Sequence, residues 1–290
     1  MPSLFFTLHS VTLFQNRCPY GTLYSDGKRK GVCATMVIIE QEQLAGVPVL
    51  HVVKPEKRGE RLPLIFFIHG FTSAKEHNLH FGYLLAEAGY RAVLPDALFH
   101  GERDEGLSER KLQLSFWDIV VRTITEIEEM KNDLVSHGLA DPERIGLAGT
   151  SMGGIVTFGA LAVYPWVKAA VALMGCPNYS AFFDAMMEEA KRRQIDIPMP
   201  PTLLALEKEK LARYDLSKQP ETLAGRPLFI WHGKADQVVP YAYTYEFYKQ
   251  IKPLYEGNED RLQFIADPHA GHKVTREAFL ETVRWFREHV

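Results

Sequence analysis

The pentapeptide Gly149-Thr-Ser151-Met-Gly153 stands where an apolar run, residues 144–151, passes directly into a helical pattern. A serine hydroxyl becomes a useful nucleophile only when a neighbouring base takes its proton. A tight strand-to-helix turn exposes that hydroxyl and holds the residue in a strained backbone conformation. Glycines at 149 and 153 remove the Cβ atoms that would otherwise collide across the turn. The start of the helix adds a dipole that favours developing negative charge. Ser151 is therefore the candidate nucleophile. Two histidines compete as its base in Asp267-Pro-His269-Ala-Gly271-His272; a histidine after glycine, just ahead of the last helix, favours His272 over His269. The acid that would orient it is Asp236, in His232-Gly-Lys-Ala-Asp236-Gln-Val-Val-Pro240, with Asp267 as rival. No acidic residue occupies the Cys176-Pro-Asn178 turn. An oxyanion would be held by the backbone N–H groups of Met152, next to the nucleophile, and of Phe71, in His69-Gly70-Phe71. His69 reads as support for that turn.

Other residue clusters carry less. His100-Gly-Glu102-Arg103 follows a strand on the same side and is either a brace for these loops or a surface ion-pair cluster. His77 and His80 have the i,i+3 spacing of metal ligands, but no third or fourth ligand accompanies them, so no metal is expected. Three cysteines, Cys18, Cys33 and Cys176, cannot build a disulfide framework, and their odd number suggests a reducing, cytoplasmic setting. Cys176 reads as a buried apolar residue.

These residues need elements to hold them. From Met36 onward apolar strands alternate with amphipathic helices, which predicts an α/β sheet. Strands are expected at 49–55, 62–70, 90–97, 144–151, 167–175, 227–233 and 261–267. Most are apolar throughout, as in parallel strands buried on both faces. One helical stripe is unusually clear: Phe116, Ile119, Val120, Thr123, Ile127, Met130 and Leu134. A last helix turns Phe279, Val283 and Phe286 inward, and the aromatics of 241–248 read as helix packing. Residues 178–225 are too long for a plain connection and read as a small helical cap. Its Phe182, Phe183, Met186 and Met187 share one helix face and are candidates for lining a substrate pocket.

The 290 residues suffice for one large core. A composition of 46% hydrophobic and 24% charged residues with a net charge of −3 is that of an ordinary globular chain without a basic nucleic-acid footprint. No apolar run reaches the length of a membrane span, so neither nucleic acid nor membrane is an expected partner. Residues 1–35 show no regular period and read as an N-terminal extension ahead of a domain over 36–290. Oligomeric state leaves no mark in the sequence.

HGF (69–71), PDALFHGER (95–103), GTSMG (149–153), HGKADQVVP (232–240) and GH (271–272) together resemble the α/β-hydrolase superfamily. The resemblance spans residues 49–290 and is closest to soluble esterases near the dienelactone hydrolases and prolyl oligopeptidase catalytic domains. Serine, aspartate, histidine is that superfamily's chain order. Two departures stand out: dienelactone hydrolases carry cysteine where Ser151 stands, and this chain has no N-terminal propeller. The resemblance implies a mostly parallel sheet covered by helices on both faces, no cofactor, and cleavage of small to medium soluble carboxylic esters through an acyl-serine. A peptidase or thioesterase with the same triad is the alternative within the fold, and a non-catalytic binding protein the alternative outside enzymes.

Overall fold

The computed structural model describes residues 36–195 and 197–290; the N-terminal extension read over 1–35 lies outside them. Among the described residues eight strands form one sheet: β1 (Ile38–Leu44), β2 (Val47–Val53), β3 (Leu62–Ile68), β4 (Arg91–Pro95), β5 (Ala140–Thr150), β6 (Ala169–Leu173), β7 (Leu228–Gly233) and β8 (Leu262–Asp267). Their order is β1-β2-β4-β3-β5-β6-β7-β8. β1 and β2 are antiparallel, as are β2 and β4, and every other pairing is parallel.

Alternation along the strands explains why the sheet is covered twice. Leu64, Phe66 and Ile68 of β3 enter one core, with Leu228 and Ile230 of β7. Ile65 and Phe67, with Phe229 and Trp231, enter the other. Each face of a pleated sheet takes alternate residues, so strands that are apolar throughout require helices on both sides. The first core is closed by α3 (Phe116–Ser136), α4 (Met152–Val163), α5 (Tyr179–Arg192) and α7 (Tyr241–Ile251). The second is closed by α1 (Leu79–Glu87) and α8 (Arg276–His289). Short α2 (Glu109–Leu114) precedes α3, and α6 (Pro201–Ala212) follows α5.

The clear stripe on α3 is buried at every one of its positions. The strand boundaries differ from the sequence reading by a few residues, and two of the shifts have a clear cause. β2 begins at Val47, because Ala45 and Gly46 (φ 49° and 80°) make a two-residue turn that pairs Leu44 with Val47 at once. β5 begins at Ala140, where an irregular pairing with Leu62 of β3 extends it toward its N-terminus. Between β6 and β7, residues 178–225 carry α5, α6 and two 3-10 turns. α5 starts where the Asn178 side chain accepts the Ala181 N–H, a standard cap. No helix among the described residues is long and apolar enough to cross a membrane.

The C-terminal ends of β3, β5, β7 and β8 lie on one side of the sheet, and each is followed by one segment of the candidate machinery. This is the edge at which parallel α/β sheets place their sites.

α8 is fastened by Phe286, which is fully buried and rests on Gly146 of β5, where a Cβ would stand 2.6 Å from the ring. Phe286→Ala should lower stability by about 3–5 kcal/mol and the melting temperature by roughly 10 °C, as read by scanning calorimetry.

Candidate active site

β5 ends at Thr150 and α4 begins at Met152, so Ser151 makes the turn between them alone. Its backbone sits at φ 56°, ψ −115°, a region an L residue occupies only when its surroundings force it. The force is close backbone packing. A Cβ on Gly153 would stand 2.0 Å from the Ile68 carbonyl oxygen, and one on Gly149 would stand 2.3 Å from the Gly153 carbonyl. No side chain fits at either place. The Ser151 N–H donates to Leu173 O at 2.9 Å, tying the turn to β6.

From the loop between β8 and α8, His272 reaches this serine. Its Nε2 lies 2.8 Å from Ser151 Oγ and its Nδ1 lies 2.7 Å from Asp236 Oδ2. A carboxylate only accepts, so Nδ1 carries the proton and Nε2 is left free to receive the serine's. Asp236, in the loop after β7, has a fully buried side chain. Its Oδ1 accepts the N–H groups of Val238 and Val239 at 2.8 and 3.0 Å. Burial alone would raise its carboxyl; hydrogen bonding from His232, His272 and those two N–H groups outweighs it and holds the group well below the usual carboxylate range. The acid stays charged where a positive imidazolium would need it.

The turn 69–72 packs on the nucleophile: a Cβ on Gly70 would be 3.4 Å from that of Ser151. Among the described residues, neither the Phe71 N–H nor the Met152 N–H donates to a carbonyl or side chain. Both expected oxyanion donors are thus open. Two histidines brace this turn. His69 donates from Nδ1 to Gly70 O at 2.7 Å and accepts the Ala97 N–H at Nε2, 3.0 Å. His100 donates from Nδ1 to Leu98 O at 2.8 Å and accepts the Thr72 N–H at Nε2, 2.9 Å. His100 is therefore a brace, the first of the two readings its motif allowed. Beneath them a buried cation, Lys75, bonds Asp96 at 2.6 Å and Glu102 at 2.7 Å, while Asp96 also accepts the Lys75 and Glu102 N–H groups.

The remaining candidates separate cleanly. His269 is exposed and Asp267 accepts the His269 and Ala270 N–H groups, so Asp267 shapes the loop that delivers His272. His77 bonds Ser73, whereas His80 lies against Phe81 and Phe279. No group of three metal-ligating side chains is found among the described residues. Cys176 is buried, and burial pushes its thiol well up. Phe182 and Phe183 are buried, with rings 6.1 and 6.4 Å from Trp117 of α3, and Met186 and Met187 are half-buried on the same core. They chiefly pack α5 onto α3. One aromatic line does reach the site: Phe182 to Phe116 at 6.3 Å, and Phe116 to Phe71 at 5.4 Å.

Lys75 and Asp96 escaped the sequence reading. The available signal was an aspartate directly after the apolar run 92–95, since a carboxylate there must find buried partners.

Comparison with known proteins adds four findings. The profile of the prolyl oligopeptidase family matches residues 117–290. A Bacillus subtilis (strain 168) protein, the candidate esterase YitV, is 52% identical over 255 residues, covering 88% of this chain and 100% of that protein. The Escherichia coli (strain K12) esterase YjfP is 31% identical, covering 88% and 100%. Among solved structures, TT1662 from Thermus thermophilus superposes with a TM-score of 0.67 at 24% identity, over 87% of this chain and 97% of that one, a likeness of fold.

The two bracing histidines make the site acid-sensitive. Burial pushes His69 down to about 4, with its bond to Gly70 O only partly opposing, and burial likewise lowers His100. The unfolded chain then binds the proton more tightly than the folded one. Stability is therefore full above about pH 6.5 and falls as pH drops toward 4, by about 3 kcal/mol for His69 alone. Melting temperatures at pH 7.5, 5.5 and 4.5 should show this fall, and His69→Gln should flatten it even if its starting value is lower.

Proposed function

Because the chain belongs to the prolyl oligopeptidase family, we propose that it is a serine carboxylesterase acting through Ser151, His272 and Asp236. The observation that carries the reading is the unbroken line Asp236–His272–Ser151, with contacts of 2.7 and 2.8 Å, ending on a serine held at φ 56°. As Ser151 Oγ attacks the ester carbonyl, His272 Nε2 takes its proton and the negative Asp236 stabilises the imidazolium. The oxyanion is met by the Phe71 and Met152 N–H groups at the start of α4. The tetrahedral intermediate collapses as Nε2 returns the proton to the leaving alcohol. Water, deprotonated by the same nitrogen, then attacks the acyl-serine, and as the acid leaves Nε2 returns that proton to Ser151 Oγ. Every proton and charge is handled by side-chain and backbone groups, so the mechanism calls for no cofactor.

The names of both relatives, which describe esterases, support an ester over an amide. The family's name keeps a peptidase in play, and a panel of acyl esters, thioesters and aminoacyl amides separates them. Soluble small-molecule esters are the proposed substrates, in the cytoplasm, as the odd cysteine count suggests.

Ser151→Ala should abolish turnover and labelling by a fluorophosphonate while leaving the melting temperature near wild type. Asp236→Asn should cost up to about 10⁴ in kcat. His272→Ala should be inactive and His269→Ala active; the reverse would reassign the base.

Acyl size is set, on this reading, by the aromatic line from α5 to Phe71, with Met186 and Met187 as adaptable apolar neighbours. Measured as kcat/KM on p-nitrophenyl esters, activity should be highest for short to medium acyl chains. Met187→Ala should shift the optimum toward longer ones. A preference for long-chain esters, or an unmoved profile in the variant, would remove α5 from the site.

A further inference from the structure

We propose that His232 is a positioning residue for the catalytic acid, locking the Asp236 carboxylate and its turn in the orientation that receives His272. The inference rests on the triad reading above.

His232 lies in β7, four residues before Asp236, and both side chains are fully buried. Its Nε2 is 2.9 Å from Val239 O and 3.3 Å from Asp236 Oδ2. A carbonyl and a carboxylate both only accept, so the ring proton sits on Nε2. That N–H is shared between them, with Val239 O as the shorter arm. Oδ2 is the same oxygen that accepts from His272 Nδ1 at 2.7 Å. The carboxylate is thereby held on three sides: by the Val238 and Val239 N–H groups on Oδ1, by His272 on Oδ2, and by His232 beside it.

The other ring nitrogen shows that this is more than space filling. His232 Nδ1 is buried and finds no hydrogen-bond partner among the described residues. A buried lone pair left unpaired is unfavourable. A phenylalanine, somewhat larger, would offer a similar flat ring, keep the edge-to-face contact with Tyr241 at 5.9 Å, and avoid that penalty. What phenylalanine cannot supply is the Nε2–H. The histidine is explained by its donor, and the donor points at the acid and at the carbonyl of the turn that cradles it.

The geometry also fixes what should change. Without the Nε2–H, Asp236 keeps its charge and its two backbone donors but can rotate about its own side chain. The His272 ring follows, and Nε2 leaves its line to Ser151 Oγ. Such a misalignment acts on the chemical step and leaves substrate binding alone.

The test compares His232→Phe, His232→Gln and His232→Asn on p-nitrophenyl acetate, with circular dichroism and melting curves for each. Glutamine can place an amide N–H at the Nε2 position; asparagine reaches only as far as Nδ1. The expected result is a fall in kcat of about 10- to 100-fold for Phe and Asn, with KM within twofold of wild type and Gln within about threefold in kcat. If His232→Phe fails to fold, the Gln–Asn contrast decides alone. Wild-type kcat in a folded Phe or Asn variant would overturn the proposal. So would an equal loss in Gln and Asn, or a loss expressed mainly in KM. Ser151→Ala distinguishes the two levels: activity retained there removes the triad, whereas an inactive Ser151→Ala with an unaffected His232→Phe removes only the role of His232.

Discussion

A serine at φ 56° persists only because the backbone around it leaves no alternative. Ile68 O, at the end of β3, stands so close to Gly153 that no side chain can be carried at that position in the first turn of α4. Gly149 meets the same helix from the strand side. The position of Ser151 is thus fixed by main-chain contact between three neighbouring elements of the sheet edge. Everything else in the site is measured from it: the 69–72 turn leans on it, and the His272 ring reaches to it. The strain is sustained by the two cores on either side, which hold β3 and β5 in register from Leu64 to Gly149.

Around that fixed point the polar groups follow a single logic. Asp236, Lys75, His69, His100 and His232 are all buried, and each is held by partners whose geometry dictates its protonation or orientation. His69 and His100 carry the proton on Nδ1 and accept on Nε2, whereas His232 carries it on Nε2. Buried polar groups that are almost fully satisfied make a rigid scaffold in the low-dielectric interior. Rigidity is what an oxyanion turn and a catalytic acid need, because neither can reorganise during the reaction without slowing it.

Much of this was legible in the sequence. Strand–helix alternation gave the sheet, since fully apolar strands such as 64–68 and 169–173 have few other uses. The meeting of Ser151, His272 and Asp236 was legible because each follows a strand end, in a loop whose glycines have backbone reasons to be there. Less legible were relations between segments distant in sequence. The sharing of Oδ2 by His232 and His272 depends on how two loops meet, and Lys75 meeting Asp96 depends on the pairing of β3 with β4. The apolar stripe on α5 showed its face, but periodicity cannot say what the face touches; Trp117 and Phe116 of α3 turned out to be most of the answer.

The sheet order has a further consequence for how the molecule loses function. Among the described residues β8 is an edge strand, paired with β7 alone, and none of its residues is fully buried. The nucleophile sits at the centre of the sheet, while the loop carrying His272 follows this outermost strand. Proteins open locally, and frayed edges open at a lower free energy than cores. Brief detachment of β8 would carry the imidazole away from a serine that has not moved. Warming or mild denaturant should then lower activity before the bulk of the secondary structure is lost.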